Sequence, residues 1–148
     1  MGHRVGCVHL AGEDQDWPFG RTSLPKIGWW NMIRPCLITY SRIMLQLQQP
    51  GGSFRSFFFD RYSPIDSSAT VLAGILFVKA YEFCPNERFK DAAVKVQNAL
   101  MKMTRRDGTI DFAQGDTKGV GMYSSRFQSM PFVQGMTLYF AKLGDQLL

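Results

Sequence analysis

Lys118, Tyr123, Ser124 and Arg126 place two cations and two hydroxyls within nine residues of one another. Such a set could hold the carboxylate and hydroxyl groups of a small ligand. Gly115, Gly119 and Gly121 let the intervening backbone curve tightly. The same composition also fits an exposed surface loop with no ligand, and the residues alone do not choose between the two. Asp14 and Asp16 stand just before Trp17, an arrangement with a superficial appeal for acid chemistry. Carboxylates are exposed by default, so Glu13-Asp14-Gln15-Asp16 is better explained as a solvated acidic loop. Asp66 has two roles open to it, a helix N-cap or a carboxylate facing a ligand. Asp66-Ser67-Ser68 ahead of an apolar run favours the cap.

Several chemistries are excluded. Gly115-Asp116-Thr117-Lys118-Gly119 looks superficially like a phosphate loop, but G-x-x-x-x-G-K-[ST] is absent and no strand leads through it into a helix. Cys7, Cys36 and Cys84 are odd in number and far apart. They are expected to be free thiols, with no structural metal or disulfide framework. His3 and His9 lie in a weakly patterned stretch and are expected to be exposed. No cofactor or metal is expected. The formal charge of +5 comes from 17 Lys and Arg scattered along the chain, which argues against nucleic acid as a partner. A modest positive field is still compatible with an acidic small molecule. The longest apolar run, residues 71–78, is far short of the ~18 to 20 needed to cross a bilayer, so no membrane contact is expected. The first residues have no sustained apolar core of a signal peptide, and the expected location is cytoplasmic.

The elements that must carry these groups are helical. Ile33, Cys36, Leu37, Tyr40, Ile43, Met44 and Leu47 recur at three and four residues, predicting a helix from about residue 30, or from Arg34 if Pro35 lies in the first turn, to 48. Gln49-Pro50-Gly51-Gly52 ends it, and residues 54–59 have the aromatic composition of a short strand or packed loop. Residues 69–83 are apolar nearly all round, so this second helix is expected to be buried on every side. Phe89, Ala92, Ala93, Val96, Leu100 and Met103 form the stripe of a third, half-exposed helix. A long Gly- and Ser-rich loop is expected over residues 112–130, before a last helix over 131–143. Residues 1–29 form a poorly patterned N-terminal segment with no period, ahead of a domain expected over 30–148.

A weak repeat runs through these pieces. Each half has a two-faced helix, a Gly-Ser/Thr-apolar turn, a connector and an apolar helix, with the turn glycines Gly52 and Gly108 lying 56 residues apart. Alternation of two-faced and wholly apolar helices is what a double ring needs, since inner helices touch neighbours on all sides and outer ones face water. The expected fold is therefore all-α, a partial α/α toroid. The competing architecture is an ordinary helical bundle, which needs fewer wholly apolar helices.

Ile65-Asp66-Ser67-Ser68-Ala69-Thr70, Arg106-Asp107-Gly108-Thr109-Ile110, Gln114-Gly115-Asp116-Thr117-Lys118-Gly119 and Met130-Pro131-Phe132-Val133-Gln134-Gly135-Met136 together resemble, in order and approximate spacing, the C-terminal half of glycoside hydrolase families 88 and 105. The resemblance covers roughly residues 45–145 and implies an (α/α)6 toroid of the six-hairpin glycosidase type, of which only the C-terminal part is present. It also implies a substrate: an unsaturated uronic acid at the non-reducing end of a lyase-generated oligosaccharide, rhamnogalacturonan or a related one. In these families an aspartate protonates the C4=C5 enol ether, water adds at C5, and the resulting hemiketal opens to release the sugar. That chemistry needs a carboxyl group poised to give and take a proton, not the paired carboxylates of an ordinary glycosidase.

By the same resemblance, Lys118, Tyr123 and Arg126 become candidates for the sugar carboxylate and hydroxyls. Arg21 and Trp29 answer to the families' Arg-Gly-x-x-Trp element, although Phe19-Gly20-Arg21 and Gly28-Trp29-Trp30 are separated here by residues 22–27. Trp29 could stack on a sugar ring or pack in the core. The families' catalytic aspartate lies in a segment with no counterpart in this sequence, so the expectation is an enzyme fragment, inactive alone, whose catalytic residue is unknown. A partial ring also leaves the flanks of its inner helices uncovered, predicting self-association. The alternative function is a noncatalytic helical-repeat module that binds a protein.

Overall fold

A computed structural model of the chain describes residues 28–114, 126–127 and 130–147. Four helices dominate: α1 (Gly28–Leu47), α2 (Ser67–Phe83), α3 (Glu87–Met103) and α4 (Pro131–Leu147). Two antiparallel pairs of two-residue strands join them, β1 (Phe54–Arg55) with β2 (Ile65–Asp66), and β3 (Ala113–Gln114) with β4 (Arg126–Phe127). The fold is that of the all-α class expected from the helical periods, and the strand pairs act as clasps at helix ends.

Several boundaries differ from the sequence expectation. Helix α1 starts at Gly28 and keeps Pro35 in its interior. Proline has no N–H, so one i→i−4 bond is missing there, a cost that a first-turn position would have avoided. Helix α4 continues past residue 143 to Leu147. The long loop expected over 112–130 is tied at its base, because Ala113 pairs with Phe127 and Gln114 with Arg126.

The helix starts are chemically plain. Asp66 caps α2 in extended conformation, its carboxylate accepting from the Ser68 amide at 2.8 Å and the Ser68 hydroxyl at 2.6 Å. The Thr70 hydroxyl donates to the Asp66 carbonyl at 2.6 Å and accepts from the Phe54 amide at 2.9 Å, fastening β1 to the first turn of α2. Asn86 caps α3 by accepting from the Arg88 amide at 3.0 Å.

Directions follow from which ends meet. The Arg34 guanidinium lies 5.3 Å from the centre of the Phe83 ring, so the start of α1 sits at the end of α2. The three-residue break at 84–86 folds α3 back along α2, which packs against it more extensively than against any other element. The Ser67 amide donates to the Phe112 carbonyl at 3.1 Å, and the Gln134 side chain bonds both the amide and the carbonyl of Ile110 at 3.3 Å. One short segment, 110–112, thus holds the N-termini of α2 and α4 at the same end. Helices α2 and α4 are therefore parallel inner neighbours, while α1 and α3 run the opposite way on the outside. This is the alternation of a toroid.

The core lies between α2 and α3 and extends to α4. Phe54, Phe77 and Phe89 form a chain of rings with centroids 6.2 and 6.5 Å apart, and Val71, Val78, Val96, Val133 and Phe140 close around it. The repeated turns serve this core in the same way. Gly52 and Gly108 both adopt positive φ, +89° and +83°, and Phe54 and Ile110, two residues further on, are both buried. Helix α3 has one wet face, as its stripe predicts. Helix α2 departs from expectation: it is not covered on every side, because Leu72 is 44% exposed and Lys79 pairs with Glu82 in water at 2.9 Å.

Candidate functional site

The end of the molecule where α2 and α4 begin gathers the groups that could face a ligand. Helix N-termini carry the positive end of the helix dipole, which favours an anionic or hydroxyl-rich ligand beside two parallel inner helices. The first amides of α2, those of Ser67 and Ser68, are taken by the Phe112 carbonyl and the Asp66 carboxylate. The 104–114 segment builds the rim. Thr104 bridges Ile110, and the Arg105 amide donates to the Thr109 carbonyl at 2.7 Å across the turn. Arg105 then pairs with Asp111 at 3.1 Å. Phe112 follows with a φ of +65°, a left-handed conformation uncommon for an aromatic residue. That conformation lets its carbonyl receive the Ser67 amide while the chain turns into β3.

Below this rim lies a cavity of about 260 Å³ lined by Ser53, Ile65, Lys102, Met103 and Phe112. It is smaller than the ~300 to 1,000 Å³ usual for a ligand pocket. Ser53 and Lys102 are the polar residues of its lining. The Ser67 hydroxyl, fully buried nearby at the first turn of α2, has no hydrogen-bond partner among the described residues. Residues 114 and 126 form the last described pair above the rim.

The sequence-derived candidates are distributed unevenly about this end. The backbone of Arg126 lies in β4, opposite Gln114, at the base of the hairpin. That of Trp29 lies in the first turn of α1, the helix whose start meets the far end of α2. Trp29 therefore belongs to the opposite end of the helical layer from Arg126. Arg21, Lys118 and Tyr123, with Asp14 and Asp16, lie outside the described residues.

Two described carboxylates, those of Asp66 and Asp107, are occupied structurally. Asp66, buried, spends its oxygen on the cap of α2. Asp107 is fully exposed, and donation from the Thr109 hydroxyl and amide holds its carboxyl below the ordinary aspartate range. A general acid working near neutral pH needs a shift in the other direction. Among the described residues no group of His, Cys, Asp and Glu is arranged to hold a metal ion, and no helix is long and apolar enough to cross a membrane.

Two contributors to this end were missed in the sequence. Gln134 looks like a polar interruption of an apolar helix, and its role as a bidentate tie to Ile110 depends on a partner 24 residues away. Lys102 reads as one more lysine on the wet face of α3, and only the fold brings it beside Phe112.

No family model matches the sequence, and no curated protein matches it. Solved structures do. A possible member of the GH105 family from Salmonella enterica subsp. enterica serovar Paratyphi A superposes with a TM-score of 0.70 at 20% identity, over 84% of this chain and 34% of that one. A second possible member, from Klebsiella pneumoniae subsp. pneumoniae, gives a TM-score of 0.68 at 18% identity, with the same 84% and 34% coverage. The chain thus spans about a third of the length of each. At these identities the likeness is one of fold: the four helices form part of an α/α toroid like that of these two structures.

Proposed function

We propose that this chain forms a saccharide-binding portion of a glycoside hydrolase toroid, one that takes oligosaccharides ending in an unsaturated uronic acid. The observation that carries the proposal is the shared end of α2 and α4. The segment 110–112 fixes both helix N-termini there, and the hairpin base bearing Arg126 rises from the same segment. Likeness to possible GH105 members supports the same reading. In it, the helix N-termini and Arg126 attract the uronate carboxylate, with Lys118 and Tyr123 added from the loop by resemblance. Arg21 and Trp29 are the families' remaining binding positions, of which Trp29 fits least well, because its turn begins at the other end of the layer.

No proton donor is assigned. Asp66 is a cap and Asp107 is held on the wrong side of its ordinary range, so hydration of the C4=C5 bond needs an acid from elsewhere. The test is direct. The purified chain is mixed with unsaturated uronyl disaccharides, and the ultraviolet absorbance of the double bond is followed alongside calorimetric binding. Saturable binding weakened by Arg126→Ala, with little or no loss of absorbance, is the expected result. Absence of binding rejects the proposal, and turnover abolished by Asp66→Asn rejects the assignment of Asp66 as a cap.

A further inference from the structure

The loop between β1 and β2, residues 56–64, holds two aromatic rings out in water: Phe59 is 89% exposed and Tyr62 76%. The loop that carries them is fixed. The Asp60 amide donates to the Phe57 carbonyl at 3.2 Å and the Ser63 amide to the Asp60 carbonyl at 3.1 Å, so two successive turns put Phe59 and Tyr62 each at a third position. The Asp60 carboxylate accepts from the Tyr62 amide at 2.8 Å. Across the loop, the fully buried Ser63 hydroxyl accepts from the Phe57 amide at 3.1 Å and donates to the Phe57 carbonyl at 3.0 Å. Phe58, between the turns, points the other way and meets the buried Phe54 ring edge to face at 6.0 Å.

This loop stands at the end of the molecule where α2 begins. Its outgoing strand runs straight into the Asp66 cap, and Ile65, three residues after Tyr62, shares a cavity wall with Phe112 of the rim. Arg61 adds a cation between the two rings: its guanidinium lies 4.7 Å from the centre of the Tyr62 ring and donates to the Tyr62 hydroxyl. We infer that Phe59, Arg61 and Tyr62 form a platform for the sugar units that follow the terminal uronate of the ligand, an inference that rests on the saccharide reading given above. Each ring offers a flat apolar surface to the C–H face of a pyranose, and Arg61 offers charge and N–H donors to a uronate carboxylate.

Rigidity and scale favour a saccharide over a protein as the occupant. Rings already held in place lose little freedom on binding, which suits a ligand that makes few contacts per unit. A protein partner needs about 1,000 Å² of buried surface, whereas two rings supply roughly 150 to 250 Å² each. The residues between them are Asp60 and Arg61, charged and in water-facing turns, which suit the hydroxyls and carboxylates of an acidic sugar chain and not an apolar interface. The platform acts on chain length: it adds affinity only to ligands long enough to reach it.

Calorimetric titration of the full chain with an unsaturated uronyl disaccharide and with the tetrasaccharide of the same series tests this. The tetrasaccharide is expected to bind about tenfold tighter. Phe59→Ala and Tyr62→Ala are each expected to bring the ratio of the two dissociation constants most of the way to one, with circular dichroism retained because both rings are already in water. Phe59→Trp keeps a stacking face and is expected to keep the ratio, which separates lost stacking from a disturbed loop. Arg126→Ala is expected to weaken both ligands and leave the ratio. A wild-type ratio near one, a ratio that survives both alanine substitutions, or a ratio lost equally in Phe59→Trp overturns the platform. Disaccharide binding with a ratio of one rejects the platform and keeps the terminal-uronate reading. Tetrasaccharide binding that depends on Phe59, without disaccharide binding, does the reverse, and if neither ligand binds both fall.

Discussion

Gly74 of α2 stands directly against Phe140 of α4: a Cβ on Gly74 would lie 2.9 Å from the ring and 2.7 Å from a methyl of Val96. Two inner helices and one outer helix meet at this point, and the absent side chain sets how closely they approach.

Gly74→Ala therefore pits two effects against each other. Alanine in a helix interior is favoured over glycine by about 1 kcal/mol. Forcing a methyl among a valine and a phenylalanine that are both fully packed costs roughly 1 to 3 kcal/mol. Neither neighbour is the far end of a flexible chain, so overpacking is expected to win, with a net loss of up to about 2 kcal/mol. A fall in the urea midpoint at unchanged slope is the readout, and a rise in the midpoint would show that α4 shifts freely.

The two turn glycines separate backbone strain from crowding. Both hold φ near +85°, where an L side chain costs roughly 1 kcal/mol or somewhat more. At Gly108 nothing lies within 4 Å of a Cβ, so Gly108→Ala is expected to lose only that strain. At Gly52 a Cβ would stand 2.0 Å from the Lys95 carbonyl oxygen, a backbone atom of α3 that cannot swing aside. Gly52→Ala is expected to cost about 3 kcal/mol or more, by adding overpacking to strain. Equal midpoints for the two alanine variants would contradict the close approach of the first turn to α3.

Asp107 gives a pH-dependent prediction. Its carboxyl is held below the ordinary aspartate range chiefly by the Thr109 hydroxyl, then by the Thr109 amide. A depressed folded value means that the turn's stabilisation is present above the ordinary aspartate range and is lost as pH falls through the folded value. The group is fully exposed, so the effect on global stability is small and screened. Carbon-detected titration of the side chain is the suitable readout. Thr109→Ala is expected to return the midpoint upward, and an unchanged midpoint would show that the hydroxyl plays no part.

The toroid was legible because its signals are local. The Asp66-Ser67-Ser68 cap, the stripe from Phe89 to Met103 and the glycines at 52 and 108 each act over a few residues, and each appears in the structure where the sequence puts it. Pro35 misled because a proline is read as a first-turn residue, whereas α1 carries it in its interior. Leu72 misled for another reason: an all-apolar helix implies a partner on every side, yet sequence does not say whether that partner belongs to the same chain. The candidate site was less legible than the fold. Gln134 and Lys102 acquire meaning only from contacts with Ile110 and Phe112, set by tertiary packing. Trp29, chosen by resemblance, begins a helix at the opposite end.

Asp66 decides between a structural and a catalytic carboxylate, and three substitutions distinguish them. As a cap it needs an acceptor oxygen and no proton, so Asp66→Asn, which keeps a side-chain carbonyl for the Ser68 amide, is expected to leave stability within a few tenths of a kcal/mol. Asp66→Ala removes the acceptor and leaves the first turn of a mostly buried helix unsatisfied, costing about 1 to 2 kcal/mol. Thr70→Val keeps shape but deletes the hydroxyl that receives the Phe54 amide at 2.9 Å. The buried amide of β1 then has no acceptor, and a loss of about 1 to 3 kcal/mol is expected. A carboxylate held at the site for its charge, without a capping role, would give a different order. Replacing it with either asparagine or alanine relieves the desolvation of a buried charge and leaves stability unchanged or raised. Chemical denaturation that ranks Asn near wild type and Ala and Val well below it identifies a cap. A ranking with Asn as damaging as Ala would mean that the charge itself, and not the acceptor, is what the first turn of α2 requires.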